Sequence, residues 1–328
     1  MKRSIYIIMC MALLVGASCS SEKKDGERKA VTAKVQSAPY ELLVVVDKDW
    51  LQTEAGQALV DVVEKPIEGL PQVEPNFRVT YINPHAFSGT FRTYANILVV
   101  RLGKKYEEAR LAMQVDVYAR PQVVLYLEAP DDRALVEYVE RNGTLILDKL
   151  NLNEFERERA YLKKHHNGAV ATQAKRLFGI DICVPEDIDE VKKGKNFLWA
   201  SASKQEFRLN VCLYTLPSQT MTVERVAEVR DSVMKVNIPG GREDQWMETD
   251  LRTVTGRMMQ WDGKQTLSVR GLWDMKNDAM GGPFVCYVYA DSTNERLLVA
   301  EGFVFAPEEK KRPLIRQLEA ALQTIVLP

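Results

Sequence analysis

Two hydrophobic periods divide the chain. Short continuous apolar runs mark buried strands, and apolar positions three and four apart mark helices. Residues 40–46 (YELLVVV) form an unbroken, β-branched run of the first kind. Asp49 follows as a helix cap with Gln52 three places on, and Leu51, Ala55, Leu59 and Val62 share one helical face that ends before Pro66. Strands are predicted at 77–82, 96–102, 109–118 and 122–127. Pro130-Asp131-Asp132 opens a second helix with Leu135, Tyr138 and Val139 inward, and Gly143 is read as its end. Residues 153–178 are helical and charged, interrupted at Gly168 and terminated at Gly179.

The second half repeats the style. Residues 181–184 read as a strand, followed by strands near 196–201 and 206–215. Thr222 caps a helix whose face is Val226, Val229, Val233 and Val236. Strands near 250–259, 266–275, 284–290 and 295–305 precede a last helix with Leu314, Leu318, Leu322 and Ile325 inward. Pro313 belongs in its first turn, because an interior proline costs about 3 kcal/mol. Strands segregated from flanking helices predict an α+β chain of two antiparallel-sheet units. Each half reads helix, four strands, helix, which raises a duplicated unit as a hypothesis, although no residue-level repeat is present. The element order of the C-terminal half resembles the Mog1/PsbP-like fold, an analogy that carries no function.

The first residues read as an address. Met1-Lys2-Arg3 is positive, residues 5–16 are apolar but too short to span a bilayer, and Gly16-Ala17-Ser18-Cys19 resembles a bacterial lipobox with Gly16 in the place usually held by an aliphatic residue. Cys19 is the expected lipidation site, and acyl chains such as palmitate would anchor the protein. Residues 20–38 are polar and of mixed charge, as in a flexible tether. The acidic run carried after the cysteine by surface-exported lipoproteins is missing, which favours an outer-membrane lipoprotein facing the periplasm, with surface exposure as the alternative. The expected organisation is a signal peptide at 1–18, a tether at 19–38, an N-terminal domain at 39–152, a helical connection at 153–179 and a C-terminal domain at 180–328.

Composition narrows the function without choosing one. The 328 residues are 46% hydrophobic and 27% charged, with 44 basic and 45 acidic side chains. That near-neutral balance argues against a nucleic-acid partner, which would call for a basic excess. Cys183, Cys212 and Cys286 lie in predicted strands, either as free core thiols or with one disulfide among them. His85, His165 and His166 show no metal-ligand spacing, and no nucleophile elbow, P-loop or dinucleotide fingerprint occurs. No catalytic residue, metal site or cofactor is therefore expected. The unusual stretch is 270–284, RGLWDMKNDAMGGPF. It is either a hairpin that buries its Trp and Met, or a display loop in which Arg270, Trp273, Met280, Gly281 and Gly282 contact a partner. Residues 238–241 with Trp246 and Met247 would form a neighbouring loop.

The segments FRLNVCLYTLP, RDSVMKVNIPG, WMET, RGLWDMKNDAMGGPF, EGFVFAP and KKRPLIRQLEA resemble an envelope lipoprotein family of Bacteroidetes-type bacteria, domain-of-unknown-function family 4837, from about Tyr40 to the C-terminus. The resemblance implies a signal peptide, a lipid anchor and an envelope address, and no activity or catalytic residue. The expected function is a membrane-anchored, non-enzymatic scaffold that binds an envelope protein or a small ligand. The alternative is a hydrolase of cell wall or glycan.

Overall fold

The computed structural model describes residues 33–204, 207–218 and 221–328. The expected signal peptide and Cys19 lie outside the described residues. The end of the expected tether does not hang free: Val35 N–H donates to Arg120 O at 3.1 Å, and Gln36 N–H to Thr93 O at 3.0 Å.

The N-terminal domain runs β1 (Glu41–Val45), α1 (Glu54–Val63), β2 (Arg78–Ile82), β3 (Asn96–Leu102), β4 (Arg110–Val115), β5 (Val123–Ala129) and α2 (Asp132–Leu162). The sheet order is β2-β1-β3-β5-β4. The chain is α+β as expected, but this sheet is not antiparallel. Its β1/β2, β1/β3 and β3/β5 pairs are parallel, and β4 alone runs against β5. The reason is burial. Every residue of β1 and β5 is buried, so both faces of the central strands must be covered. Helices α1 and α2 cover one face over Leu42, Val44, Leu98 and Leu125, and loop aromatics Phe87, Phe91, Tyr94 and Tyr118 cover the other.

Two helix boundaries differ from expectation. Thr53, not Asp49, caps α1, accepting from Gly56 N–H, and a 3-10 turn at Trp50–Gln52 precedes it. Gly143 does not end α2. It lets α1 and α2 meet, because a Cβ there would lie 2.7 Å from Val62 Cγ2. The helix therefore runs on to Leu162, and the expected connection at 153–179 is split between α2 and α3 (Gly168–Phe178), which does end at the left-handed Gly179.

The C-terminal domain adds β6 (Glu190–Gly194), β7 (Phe197–Ser203), β8 (Arg208–Pro217), α4 (Val223–Asn237), β9 (Met247–Trp261), β10 (Lys264–Met275), β11 (Gly281–Asp291), β12 (Arg296–Phe305) and α5 (Lys311–Leu322). Its seven strands pair antiparallel throughout, in the order β6-β7-β8-β12-β11-β10-β9. Segment 181–184 is not a strand; only Asp181 makes an isolated bridge, to Val326. The β9–β10 turn is Asp262-Gly263 at positive φ (49° and 72°), which matches the twist of the strands. Helix α4 covers one face, while α3 and α5 cover the other. The two domains thus differ in strand direction and order, which dismisses the duplication.

Helix α4 is rotated from its expected setting. It buries Val226, Ala227, Arg230 and Met234, leaving Val236 78% exposed. The valine stripe loses because Arg230 has a partner beneath the helix. Its Nε donates to Glu301 Oε1 on β12 at 2.9 Å, and its Nη1 to Thr249 Oγ1 at 2.9 Å.

The α1–α2 contact gives a direct test. Gly143→Ala gains helix propensity of about 1 kcal/mol, but the clash with Val62 costs about 1–3 kcal/mol. Urea unfolding should show a net loss of stability, and Val62→Ala should recover it in the double variant.

Candidate functional site: the cleft between the domains

The loop after α1 builds the junction between the domains. It is closed on itself by Ile67 N–H to Glu74 O (2.9 Å) and Asn76 N–H to Lys65 O (3.0 Å). Its far end caps a helix of the other domain. The backbone N–H groups of Lys311 and Arg312 donate to the Glu74 carboxylate at 2.7 and 3.2 Å, supplying the start of α5 with the cap that Lys310 does not provide. Arg316 Nη2 on α5 donates to Asn76 Oδ1 at 2.6 Å. Lower down, Phe155 and Leu162 of α2 pack on Ala320 and Ala321 of α5. The near side of the same loop sits on β10, where a Cβ on Gly69 (φ +75°) would come within 3.2 Å of Gly271 N.

A half-open cleft of about 490 Å³ lies between these contacts, within the ~300–1,000 Å³ usual for small-molecule sites. One wall is α2, with Leu152 and Phe155. Facing it are Met259 and Trp261 of β9, and Arg159 stacks over the Trp261 ring at 4.7 Å. The floor is Arg270, whose Nη2 donates to Glu319 Oε1 at 2.6 Å. Glu319 is also bound by Arg316 Nη1 at 2.7 Å and by the Tyr287 hydroxyl at 2.9 Å. Gln323 donates to the Tyr287 oxygen at 3.0 Å and accepts from Arg159 at 2.9 Å, so the network runs from one domain into the other.

The electrostatics of the floor are fixed. Burial pushes the Glu319 carboxyl up, but Arg270, Arg316 and the hydrogen bonds outweigh it and bring it down to about 2. Burial, with the Glu319 charge adding to it, pushes the Tyr287 hydroxyl up. For Arg270, burial acts to lower its value and is outweighed by Glu319 and Tyr287, so the guanidinium stays charged. Neither Glu319 nor Tyr287 is poised to trade a proton near neutrality, as a general acid or base must be. The arrangement suits binding.

Of the two readings of 270–284, the structure matches the hairpin that buries its Trp and Met, not the display loop. Arg270 lies in β10 on the cleft face. Trp273, three residues on, faces the other way and is 1% exposed, edge-to-face on Phe303 with its Nε1 donating to Val304 O at 3.3 Å. Met280 packs on that same core. Gly281 and Gly282 begin β11, and a Cβ on Gly282 would overlap the Val304 carbonyl. The glycines serve close strand packing, and the true turn is only 276–280. The neighbouring loop is present, with Lys276 N–H donating to Trp246 O at 2.9 Å and Arg242 Nη2 to Asn277 O at 2.8 Å.

The three cysteines are free. Cys212 and Cys286 flank Glu301 on β8 and β11, on either side of β12. Two strand spacings, roughly 9.5 Å, exceed the ~4.4–6.8 Å Cα span of a disulfide. Burial pushes both thiols well up, so they are inert core groups. Cys183 is not in a strand; it lies half-buried where α2 meets α5.

Residues 167–324 match the family described as Domain of unknown function (DUF4837), and the sequence blocks around 207–217, 270–284 and 310–320 all fall inside the match. The C-terminal domain belongs to the DUF4837 family. Residues 36–163 match a second family, Domain of unknown function (DUF8532). The resemblance expected from Tyr40 onward is thereby corrected: the DUF4837 domain begins after α2, and a different family precedes it. The boundary falls at the short turn between α2 and α3. No curated protein matches the chain. Arg270, Arg316 and Glu319 belong to the DUF4837 domain, whereas Leu152, Phe155 and Asn76 come from the other, so neither family match alone contains the cleft.

Sequence reading missed Glu74, Arg316 and Glu319. A signal was available on α5, where Arg312, Arg316, Glu319 and Gln323 fall four, three and four apart. That is a polar helical stripe beside the leucine stripe, and a polar stripe between apolar neighbours needs partners.

Glu319 gives a pH test. A carboxyl lowered from 4.5 to about 2 stabilises the fold above its unfolded value, and that stability is lost as pH falls from 4.5 towards 2. Glu319→Gln should therefore cost on the order of 3 kcal/mol at neutral pH. In urea titrations the gap from wild type should close as pH drops through that window. A gap that did not change with pH would contradict the pairing.

Proposed function

We propose that this chain is a membrane-tethered envelope binding protein, lipidated at Cys19, that holds a ligand in the cleft between its domains and does no chemistry on it. The observation that carries the reading is the Arg270 floor. A guanidinium is held in place by Glu319, and its remaining donors lie in a cleft of about 490 Å³ walled by Phe155, Leu152, Met259 and Trp261. Fixed polar groups converging beside apolar side chains are the usual composition of a ligand site. The envelope address rests on the leader pattern of residues 1–19, and the periplasm-facing orientation on the missing acidic run. The hydrolase alternative gains nothing from the cleft, where Glu319 and Tyr287 are locked against proton transfer.

The test is native mass spectrometry of the chain extracted from membranes. Wild type should carry a bound small molecule released on denaturation. Leu152→Trp with Met259→Trp fills the cleft from exposed and half-exposed positions and should carry none. In the same preparation, Cys19→Ser should move the chain out of the membrane fraction. An equal load on wild type and the filled variant would contradict the cleft reading, and a membrane-bound Cys19→Ser chain would contradict the anchor.

A further inference from the structure

The donors left over in the cleft identify the ligand's charge. Arg270 is 20% exposed, and among the described residues only its Nη2 makes a protein hydrogen bond. Its Nε and Nη1 remain to be satisfied from the cleft. Arg316, 6% exposed and also lining the cleft, has its Nε buried with no partner. The Arg316 Nε is closed off from the cleft, so it is the open Arg270 donors that an acceptor brought by a ligand would meet. Two guanidiniums share one carboxylate at the floor. The lining also carries Arg257 and Lys65 with Asp148 and Glu68, and Arg257 Nη2 lies 3.6 Å from Asp148 Oδ1. The cleft therefore holds one surplus positive charge, enough for a monoanion. A dianion such as phosphate would exceed the surplus and face Glu68 and Asp148.

Shape supplies the rest. The planar fork of an arginine matches a carboxylate edge. Away from the floor Leu152, Phe155, Met259 and Trp261 offer contacts to an apolar body.

Resting on the reading of the cleft as a binding site, we infer that its ligand is an apolar monocarboxylate, with the carboxylate received by Arg270 and the apolar body against α2 and β9. Two sources present this chemistry: a fatty carboxylate, and the free C-terminus of an apolar peptide.

The experiment is isothermal titration of the purified full chain. Decanoate is compared with decanol, and N-acetyl-Phe-Leu with its C-terminal amide. At neutral pH the carboxylate of at least one pair should bind about tenfold tighter than its neutral partner. The member that binds tells the fatty from the peptidyl source. Arg270→Gln should bring that ratio to about one. Should Arg270→Gln fail to fold, lowering the pH of the wild-type titration until the ligand carboxyl protonates should collapse the ratio instead. Equal binding of charged and neutral partners, abolished by Leu152→Trp, would overturn the carboxylate and leave the cleft reading standing. Displacement of decanoate by inorganic phosphate at lower concentration would overturn it in favour of a phosphate site. No binding by either pair would count against both.

Discussion

The C-terminal side of the cleft depends on one buried carboxylate. Glu319 sits at the base of the cleft, 4% exposed, with Arg270 and Arg316 on either side. A charge taken out of water must be met by partners or it expels itself. Meeting this one brings β10, β11 and α5 into fixed relation. Arg316 then hands the constraint to Asn76 in the other domain, and Glu74 beside it closes the start of α5. Polar groups at the head of α5 join the domains there, beside the packing of Phe155 and Leu162 on Ala320 and Ala321. Polar satisfaction is incomplete, because Arg270 keeps free donors and Arg316 Nε has none to give to. The open donors of Arg270 line the cleft, where a ligand can reach them.

The same device appears on the opposite face of the seven-stranded sheet. Arg230 and Glu301 are both fully buried beneath α4. The arginine is enclosed by Thr249, the Met247 sulfur and the Phe284 ring at 4.3 Å. The pair sets the rotation of α4. Buried ion pairs in this domain thus do two jobs. One fixes a helix, and the other fixes a helix and leaves an arginine facing solvent.

Much of the fold was legible because burial leaves a period in the sequence. The strands at 96–102 and 266–275, the Thr222 cap, the Gly179 stop and Pro313 in the first turn of α5 all follow from local rules. What could not be read was pairing. β1 and β5 announce burial on both faces, yet nothing local says that their neighbours run parallel. Gly143 reads as a helix stop until Val62 is known to lie against it. Arg230 reads as solvent-facing until Glu301 is placed beneath it. Arg270 and Trp273 were singled out together because arginine and tryptophan favour interfaces. Strand alternation sends them to opposite faces, so one belongs to the cleft and the other to the core. The cleft itself is assembled from residues as far apart as Asn76 and Gln323, and only tertiary structure brings such a set together.

The central claim is that Glu74, capping α5 across the domain boundary, makes the two domains one cooperative unit with a fixed cleft between them. Hydrogen exchange of residues 33–328, wild type against Glu74→Ala, tests it most directly. The account predicts that protection falls together at the start of α5, in the loop at 64–77 and along the cleft-facing turns of α2, and that calorimetry of the wild type shows one transition. Loss of protection confined to the first turn of α5, with two independent transitions in the wild type, would contradict it.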